Sequence, residues 1–247
     1  MPEYAKTEAI VLKTYPLSER DKIIVFLSPR LGKFRAVAKG TKKITSKTIG
    51  KFEPMNILFL MLSPGKNLAT IRQDETVNCF SEIRKDLDKT LAGLYILDTV
   101  NKTHEEDEEN FHIYNLVKNC LLLLDKCADP GLTSLVFDLK FIDMMGYAPL
   151  LETCVCCEKK GDYCFVNFEL GGAVCSACNK ENVDRGIKIS RGGLKALKFL
   201  KKTGFEAVAR LKMSPQMFEE VRNILNKYKE YKLADFNLCS NSFCLLK

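Results

Sequence analysis

The chain has 247 residues, of which 46% are apolar and 28% charged, with eleven cysteines and a formal net charge of +7. This composition excludes a disordered chain, and the length suffices for one large domain or two small ones. The longest apolar run, Ile57–Leu62, is too short to span a bilayer, and the sequence shows no secretory signal, so we expect a cytoplasmic protein with no membrane association.

The first eighty residues predict five β-strands. They are rich in Val, Ile, Leu, Phe and Thr, and turn sequences at Pro29–Gly32 and Ser63–Asn67 separate them. The predicted strands are Thr7–Tyr15, Lys22–Ser28, Lys33–Lys39, Met55–Leu62 and Leu68–Phe80. Five short strands favour a small Greek-key barrel of the OB-fold type, which we assign to residues 1–80.

From Ser81 the apolar spacing becomes helical, and we expect a mainly helical domain over residues 81–247. The chain as a whole is therefore predicted to be α+β. The predicted apolar stripes are Ile83, Leu87, Leu91 and Leu94; Ile113, Leu116, Val117, Cys120, Leu121 and Leu124; and Leu132, Leu135, Val136, Leu139 and Ile142, after a break at Pro130-Gly131. Two more helices are expected, from Ser190 with Leu194, Leu197 and Leu200, and from the N-cap pair Ser214-Pro215 with Phe218, Val221, Leu225 and Tyr228.

The excess charge lies in the predicted barrel. Nine Lys or Arg and no Asp or Glu occur from Lys22 to Lys51, whereas the 167 residues after residue 80 hold 24 of each sign. Such a single-sign field indicates a polyanionic partner, with nucleic acid the first candidate. The predicted nucleic-acid-binding residues are Arg20, Lys22, Arg30, Lys33, Arg35, Lys39, Lys42, Lys43, Lys47 and Lys51.

Strand parity assigns some of these residues to a face. In the third strand Phe34, Ala36 and Ala38 share the face that we expect in the core, and Lys33, Arg35 and Lys39 share the outer one. Phe26 and Phe52 are aromatic residues within the basic segment. Parity leaves open whether those two rings stack on bases or fill the core.

Two cysteine pairs predict a metal site. Cys154 and Cys157 form one C-x2-C pair, and Cys175 and Cys178 form a second one seventeen residues later. Two such pairs complete a closed tetrahedral shell, so we expect structural zinc in a subdomain at residues 150–180. Cys156 remains an alternative to Cys157 as a ligand.

No catalytic motif is apparent. His104 opens an acidic run that matches the metalloprotease H-E-x-x-H pattern only in its first two letters, and the chain has no phosphate-binding glycine loop. We therefore expect a binding protein and not an enzyme. Two alternatives remain: an RNA-binding OB-fold and zinc-ribbon protein acting in translation, and a zinc-dependent hydrolase, which would need an open metal position.

The order of several short motifs resembles the RecO family of bacterial recombination mediators. In the basic module the matching residues are Glu8–Lys13, Ser18–Ile23, Gly32-Lys33, Ala36–Gly40, Ser46-Lys47 and Phe52–Pro54. Further along they are Gly146-Tyr147, Pro149, Leu151, Cys154, Cys157, Gly171-Gly172, Cys175, Cys178 and Ser242-Phe243. Glu158 departs from the glycine that the family often has after its second cysteine.

The resemblance implies an OB-fold domain followed by a helical domain with a zinc-binding insertion, and a non-enzymatic role in DNA repair. Members of the family bind single- and double-stranded DNA and anneal complementary strands. With RecR they help load the RecA recombinase onto strands coated by single-stranded-DNA-binding protein. The acidic C-terminal tail of that coating protein is a typical ligand of the helical domain.

Overall fold

The computed structural model describes residues 5–41, 50–65, 68–106, 109–126, 129–161, 163–181 and 186–234. The chain divides into two compact units, of which the first ends at Lys126. The domain boundary near residue 80 stays a prediction.

The five predicted strands form a closed barrel. Its strands are β1 (Ala5–Pro16), β2 (Lys22–Ser28), β3 (Gly32–Ala38), β4 (Ile57–Ser63) and β5 (Ala69–Asn78). The strand order is β1-β2-β3-β5-β4, and antiparallel pairing of β1 with β4 closes the barrel. Strands β3 and β5 pair in parallel only at Ala36–Ala69 and Val37–Thr70. The structure confirms the α+β prediction with an amino-terminal five-stranded barrel.

Alternate residues of β3 point into the barrel, as the period of two in a strand predicts. Phe34, Ala36 and Ala38 are buried, while Arg35 and Lys39 are exposed. Phe26 stacks on Phe34 with ring centroids 5.3 Å apart, and Phe52 is also buried. Burial of each phenylalanine stabilises the barrel by about 1.5–3 kcal/mol. These three rings belong to the core, so none of them is available to stack on a base.

In the described part of the first unit, three helices follow the barrel: α1 (Ser81–Arg84), α2 (Leu87–Thr103) and α3 (Phe111–Asp125). The whole predicted α3 stripe is buried, whereas the stripe predicted through Leu87 and Leu94 is wrong, because both side chains are exposed. Helix α2 approaches the barrel closely at Gly93, where an added Cβ would lie 2.5 Å from the Met55 sulfur.

The second unit is mainly helical with a small sheet. Its elements are α4 (Pro130–Met144), β6 (Tyr163–Asn167), β7 (Gly172–Cys175), α5 (Ser176–Glu181), β8 (Gly186–Lys188), α6 (Arg191–Lys202), α7 (Phe205–Val208) and α8 (Pro215–Lys232). Asp129 caps α4 and leaves Pro130 in its first turn. Ser214 caps α8 as predicted, and Ser190, where a helix was expected to start, caps α6. A buried ion pair of 2.9 Å joins Lys229 to Asp138. Among the described residues, no helix has both the length and the apolar character needed to cross a membrane.

Candidate nucleic-acid interface and metal centre

One group of predicted cations lies where the β1–β2 loop meets the end of β3, and we call Arg20, Lys22 and Lys39 the loop-end cluster. Lys22 pairs with Ala38 across the β2–β3 ladder, and the Gly40 N–H donates to the Asp21 carboxylate at 2.9 Å. Arg20 and Lys39 are exposed, and neither makes an ion pair with a described residue. Lys22 is 3.4 Å from Glu53. The loop-end cluster therefore presents two positive charges to solvent that no described residue engages in an ion pair, with the carboxylates of Glu19 and Asp21 on either side of Arg20 in the sequence.

A second group of predicted cations lies at the β2–β3 turn, about 17 Å away along the strand, and we call Arg30, Lys33 and Arg35 the turn-end cluster. Lys33 donates to the Asn101 carbonyl at 2.9 Å, and the Arg35 Nε is 2.7 Å from a Glu106 oxygen. Burial lowers the pKa of Lys33, and the Glu106 charge opposes that effect. Of this cluster, only Arg30 is exposed without a side-chain partner among the described residues.

Of the other predicted cations, one has a carboxylate partner of its own and three lie outside the described structure. Lys51 pairs with Asp74 at 2.8 Å. Lys42, Lys43 and Lys47 lie outside the described residues. The structure therefore brings six of the seven described predicted residues together in two clusters. Four of the seven have a partner in the same unit: Lys22, Lys33, Arg35 and Lys51.

Sequence reasoning missed one aromatic residue near the loop-end cluster. Tyr15 pairs with Ile23 across the β1–β2 ladder and is 41% exposed, and the Lys13 ammonium lies 5.2 Å from its ring centroid. A tyrosine flanked by cations is suited to stacking on a nucleic-acid base. Its place two residues after Lys13 and directly before Pro16 was the signal that the sequence offered.

The four predicted ligand cysteines meet at one point in the second unit. Cys154 and Cys157 lie in a turn, Cys175 ends β7 and Cys178 lies on α5. Their sulfurs are all within 4.8 Å of one another, and those of Cys157 and Cys175 are 3.9 Å apart. A tetrahedral ion with metal–sulfur bonds of about 2.3 Å holds its sulfurs about 3.8 Å apart, so the cluster is of the right size.

Backbone pairing builds the first cysteine turn. Val155 donates to the Ala173 carbonyl at 2.9 Å and Glu158 donates to the Cys154 carbonyl at 2.8 Å. Glu158 has a φ of 59°, in the left-handed region that a glycine adopts without strain. The turn therefore forms with Glu158 in place of the glycine, at a cost of about 1 kcal/mol.

The thiols are set to bind a cation. Burial raises the pKa of Cys154, but hydrogen bonds from the backbone at Cys175, Cys157 and Cys156 outweigh it and lower the value to about 6. Hydrogen bonds with the Cys175 and Cys157 thiols raise the pKa of Cys178. Because all four thiolates cannot ionise side by side without a compensating positive charge, the donor set fits a metal ion.

The cluster also distinguishes Cys157 from Cys156, the alternative ligand. Cys156 is exposed and does not belong to the group of four sulfurs. Four thiolates leave no position for a water ligand, so the donor set suits a structural ion and not a hydrolytic one.

Comparison with known proteins agrees with both halves of this architecture. The family model described as "Recombination protein O N terminal" matches residues 1–80, and "Recombination protein O C terminal" matches residues 84–241. Proteins named "DNA repair protein RecO" are similar over most of their length. The one from Thermoanaerobacter sp. (strain X514) is 32% identical over 94% of this chain and 96% of its own. The one from Caldanaerobacter subterraneus subsp. tengcongensis is 32% identical over 94% and 97%. The chain belongs to the RecO family of DNA repair proteins.

Proposed function

We propose that this protein is a non-enzymatic recombination mediator, which binds single- and double-stranded DNA and anneals complementary strands. The observation that carries the proposal is the loop-end cluster, where Arg20 and Lys39 stand exposed on the wall of an OB-type barrel. OB-folds bind single strands through cationic surfaces that follow the phosphate backbone. Membership of the RecO family supports DNA as the nucleic acid.

The physical basis of annealing is charge neutralisation. Two complementary strands repel each other through their phosphates, and a cationic surface that binds both lowers that repulsion. Binding also releases counterions, so the affinity falls as the salt concentration rises. The protein needs no reacting group for this role; it only has to hold the strands long enough for bases to pair.

We further propose the partners that the family resemblance implies. They are RecR, the C-terminal tail of single-stranded-DNA-binding protein and, indirectly, RecA, whose loading onto coated strands this protein assists in the cytoplasm. Family membership supports this proposal, and no residue of this chain is assigned to these contacts.

We propose zinc as the ion of the four-cysteine cluster, held by Cys154, Cys157, Cys175 and Cys178. The all-sulfur donor set and the closed geometry are typical of structural zinc sites. The ion would supply positive charge and cross-link the turn, β7 and α5.

The test reverses the two exposed charges in the full chain. We expect Arg20→Glu combined with Lys39→Glu to weaken single-strand binding by at least tenfold at low salt. The slope of log affinity against log salt should become shallower by about 1.4, because each lost phosphate contact removes about 0.7. Fluorescence anisotropy with a labelled oligonucleotide measures both quantities.

The control changes the net charge equally elsewhere. Lys126→Glu with Lys160→Glu also reverses two exposed lysines, and it should leave the slope close to that of the wild type. Equal losses in the two variants would show that net charge and not the loop-end cluster governs binding. An annealing assay on strands coated by single-stranded-DNA-binding protein, with and without RecR, then tests the mediator role.

A further inference from the structure

An acidic residue from the end of α2 lies on the turn-end cluster. Glu106 forms a parallel bridge with Lys33 of β3, and its carboxylate is 2.7 Å from the Arg35 Nε. The bridge forms where β3 has no ladder with β5, because those strands pair only at Ala36–Ala69 and Val37–Thr70. Glu106 therefore occupies an open seam in the barrel wall.

The backbone beside Glu106 is held in place. The Lys33 ammonium donates to the Asn101 carbonyl at 2.9 Å, in the last turn of α2, where a cation is favoured by the helix dipole. The His104 N–H donates to the Val100 carbonyl at 3.1 Å and ends the helix. Glu106 thus follows a helix end whose backbone is held in place, and this positions its carboxylate against Arg35.

A cleft of about 460 Å³ lies at the same place. Arg30, Arg35, Glu106 and Glu109 contribute its charged lining, and its apolar lining includes Phe34 and Leu62. The carboxylates and the guanidinium groups therefore face one open space. A phosphate entering this cleft would meet Arg35 already engaged by a carboxylate.

A carboxylate and a phosphate oxygen compete for the same donors on a guanidinium group. We propose that Glu106 is an internal competitor for nucleic-acid phosphate at Arg35, so that a strand reaching the turn-end cluster must open the Arg35–Glu106 ion pair. The proposal rests on the proposed DNA binding. Glu106 then limits the affinity for nucleic acid. Tight binding is confined to the loop-end cluster until the Arg35–Glu106 ion pair opens.

The solvent exposure of the Arg35–Glu106 ion pair determines how strongly Glu106 can limit the affinity for nucleic acid. The Arg35 and Glu106 side chains are 48% and 39% exposed. An ion pair this open to solvent is weak, so a strand can displace it. We expect removal of the competition to raise affinity by about two- to fivefold. Where the pair stays closed in the wild-type complex, its removal adds one phosphate contact, so the salt slope on single strands should steepen by up to about 0.7.

The test uses Glu106→Gln in the full chain, with oligonucleotide binding measured by fluorescence anisotropy over a range of salt. The matched control is Glu75→Gln, which removes one exposed negative charge from β5. The expected result is a gain in affinity and a steeper slope for the Glu106 variant only. Thermal unfolding of each variant checks that the barrel remains folded.

Variants that also change Arg35 test whether Glu106 acts through Arg35. In an Arg35→Gln background, the Glu106 substitution should no longer change the affinity, because the competed donor is absent. Equal gains in the Glu106 and Glu75 variants would overturn the proposal in favour of a general charge effect. A loss of affinity in Glu106→Gln would instead mean that Glu106 orients Arg35 for binding, and would overturn it too. A wild-type chain that ignored oligonucleotides at low salt would refute the proposed function itself.

Discussion

Tyr15 is the exposed aromatic residue of the β1–β2 hairpin, and its surroundings are cationic. The Lys13 ammonium lies 5.2 Å from the ring centroid, and Lys22 pairs with the neighbouring Pro16. Stacking of a base on an aromatic ring contributes about 1–3 kcal/mol to single-strand binding. In a duplex the base faces are already stacked on one another. Tyr15 is therefore placed to favour single strands.

We expect Tyr15→Ala to weaken single-strand binding by about 5- to 150-fold, which corresponds to one lost stacking contact. Duplex affinity should change much less, because the cations remain. Tyr15→Phe should keep most of the affinity, since it retains the ring. Tyr231→Ala, at another exposed tyrosine, is the control. Equal losses on single strands and duplex would contradict a stacking role.

At this scale, sequence predicts a residue's face but not its distant partner. The period of two in β3 correctly placed Phe34 inside and Arg35 outside, because alternate side chains must point to opposite sides of a strand. Nothing near Arg35 in the sequence indicates that Glu106, 71 residues later, neutralises it. That pair depends on where α2 ends in space, and residue spacing carries no such information.

At the scale of elements, the error in α2 has a local cause. Ile83 lies on α1, and the Asp86 side chain accepts the Lys89 N–H at 3.1 Å to begin α2. This break changes the helical phase, so Leu87 is 73% exposed and the buried face passes through Ala92, Ile96 and Val100. An apolar pattern read across a break without Gly or Pro assigns the wrong face.

Glu8 joins strand β1 to helix α3. Its carboxylate accepts hydrogen bonds from the Tyr114 hydroxyl and, at 2.6 Å, from the Lys118 ammonium. Burial raises the pKa of Glu8, but these two donors outweigh it, and the pKa falls below its ordinary value of 4.5. A depressed folded pKa adds stability above pH 4.5 that is lost as the pH falls through the folded value.

We expect Glu8→Gln to lower the free energy of unfolding at pH 7 by about 1–3 kcal/mol, the worth of hydrogen bonds to a charged group. The difference from the wild type should shrink as the pH falls from 4.5 through the lower pKa of the folded chain, because Glu8 is protonated first in the unfolded chain and then in the folded one. Urea unfolding at pH 7 and pH 3.5, followed by circular dichroism, measures both effects. Glu75→Gln is the exposed control, and a difference at pH 3.5 as large as the one at pH 7 would rule out the charge of Glu8 as the cause.

At the scale of the whole molecule, the zero net charge of residues 81–247 conceals a second basic region. Residues 186–234 hold twelve Lys or Arg and four Asp or Glu, and residues 81–185 hold eleven and nineteen. Part of the excess is matched within the second unit, since Lys202 and Lys198 approach Glu152 at 2.7 and 3.6 Å and Lys201 approaches Asp143 at 3.7 Å. A balance of zero over a long segment therefore does not show how its charges are distributed.

The last prediction concerns the four-cysteine cluster, whose members come from three separate pieces of the second unit: a turn, β7 and α5. Spacing predicted these cysteines, since each C-x2-C pair closes one local turn. The meeting of the two pairs depends on the antiparallel β6–β7 hairpin, whose register brings Asn167 opposite Gly172. Without the ion, four thiols remain crowded within 4.8 Å, and the turn loses its cross-link to β7 and α5.

We expect one zinc per chain by atomic absorption, lost on substitution of Cys154, Cys157, Cys175 or Cys178 by Ser and retained in Cys156→Ser. Because zinc binding at such a site supplies on the order of 10 kcal/mol, chelation should expose residues 150–181 to hydrogen exchange. Strands β1–β3, which contain no ligand, should keep their protection under the same treatment. Zinc retained in a Cys175→Ser chain, or lost from Cys156→Ser, would contradict the assigned ligands. Unchanged exchange after complete chelation would show instead that packing alone, and not the ion, holds the turn against β7 and α5.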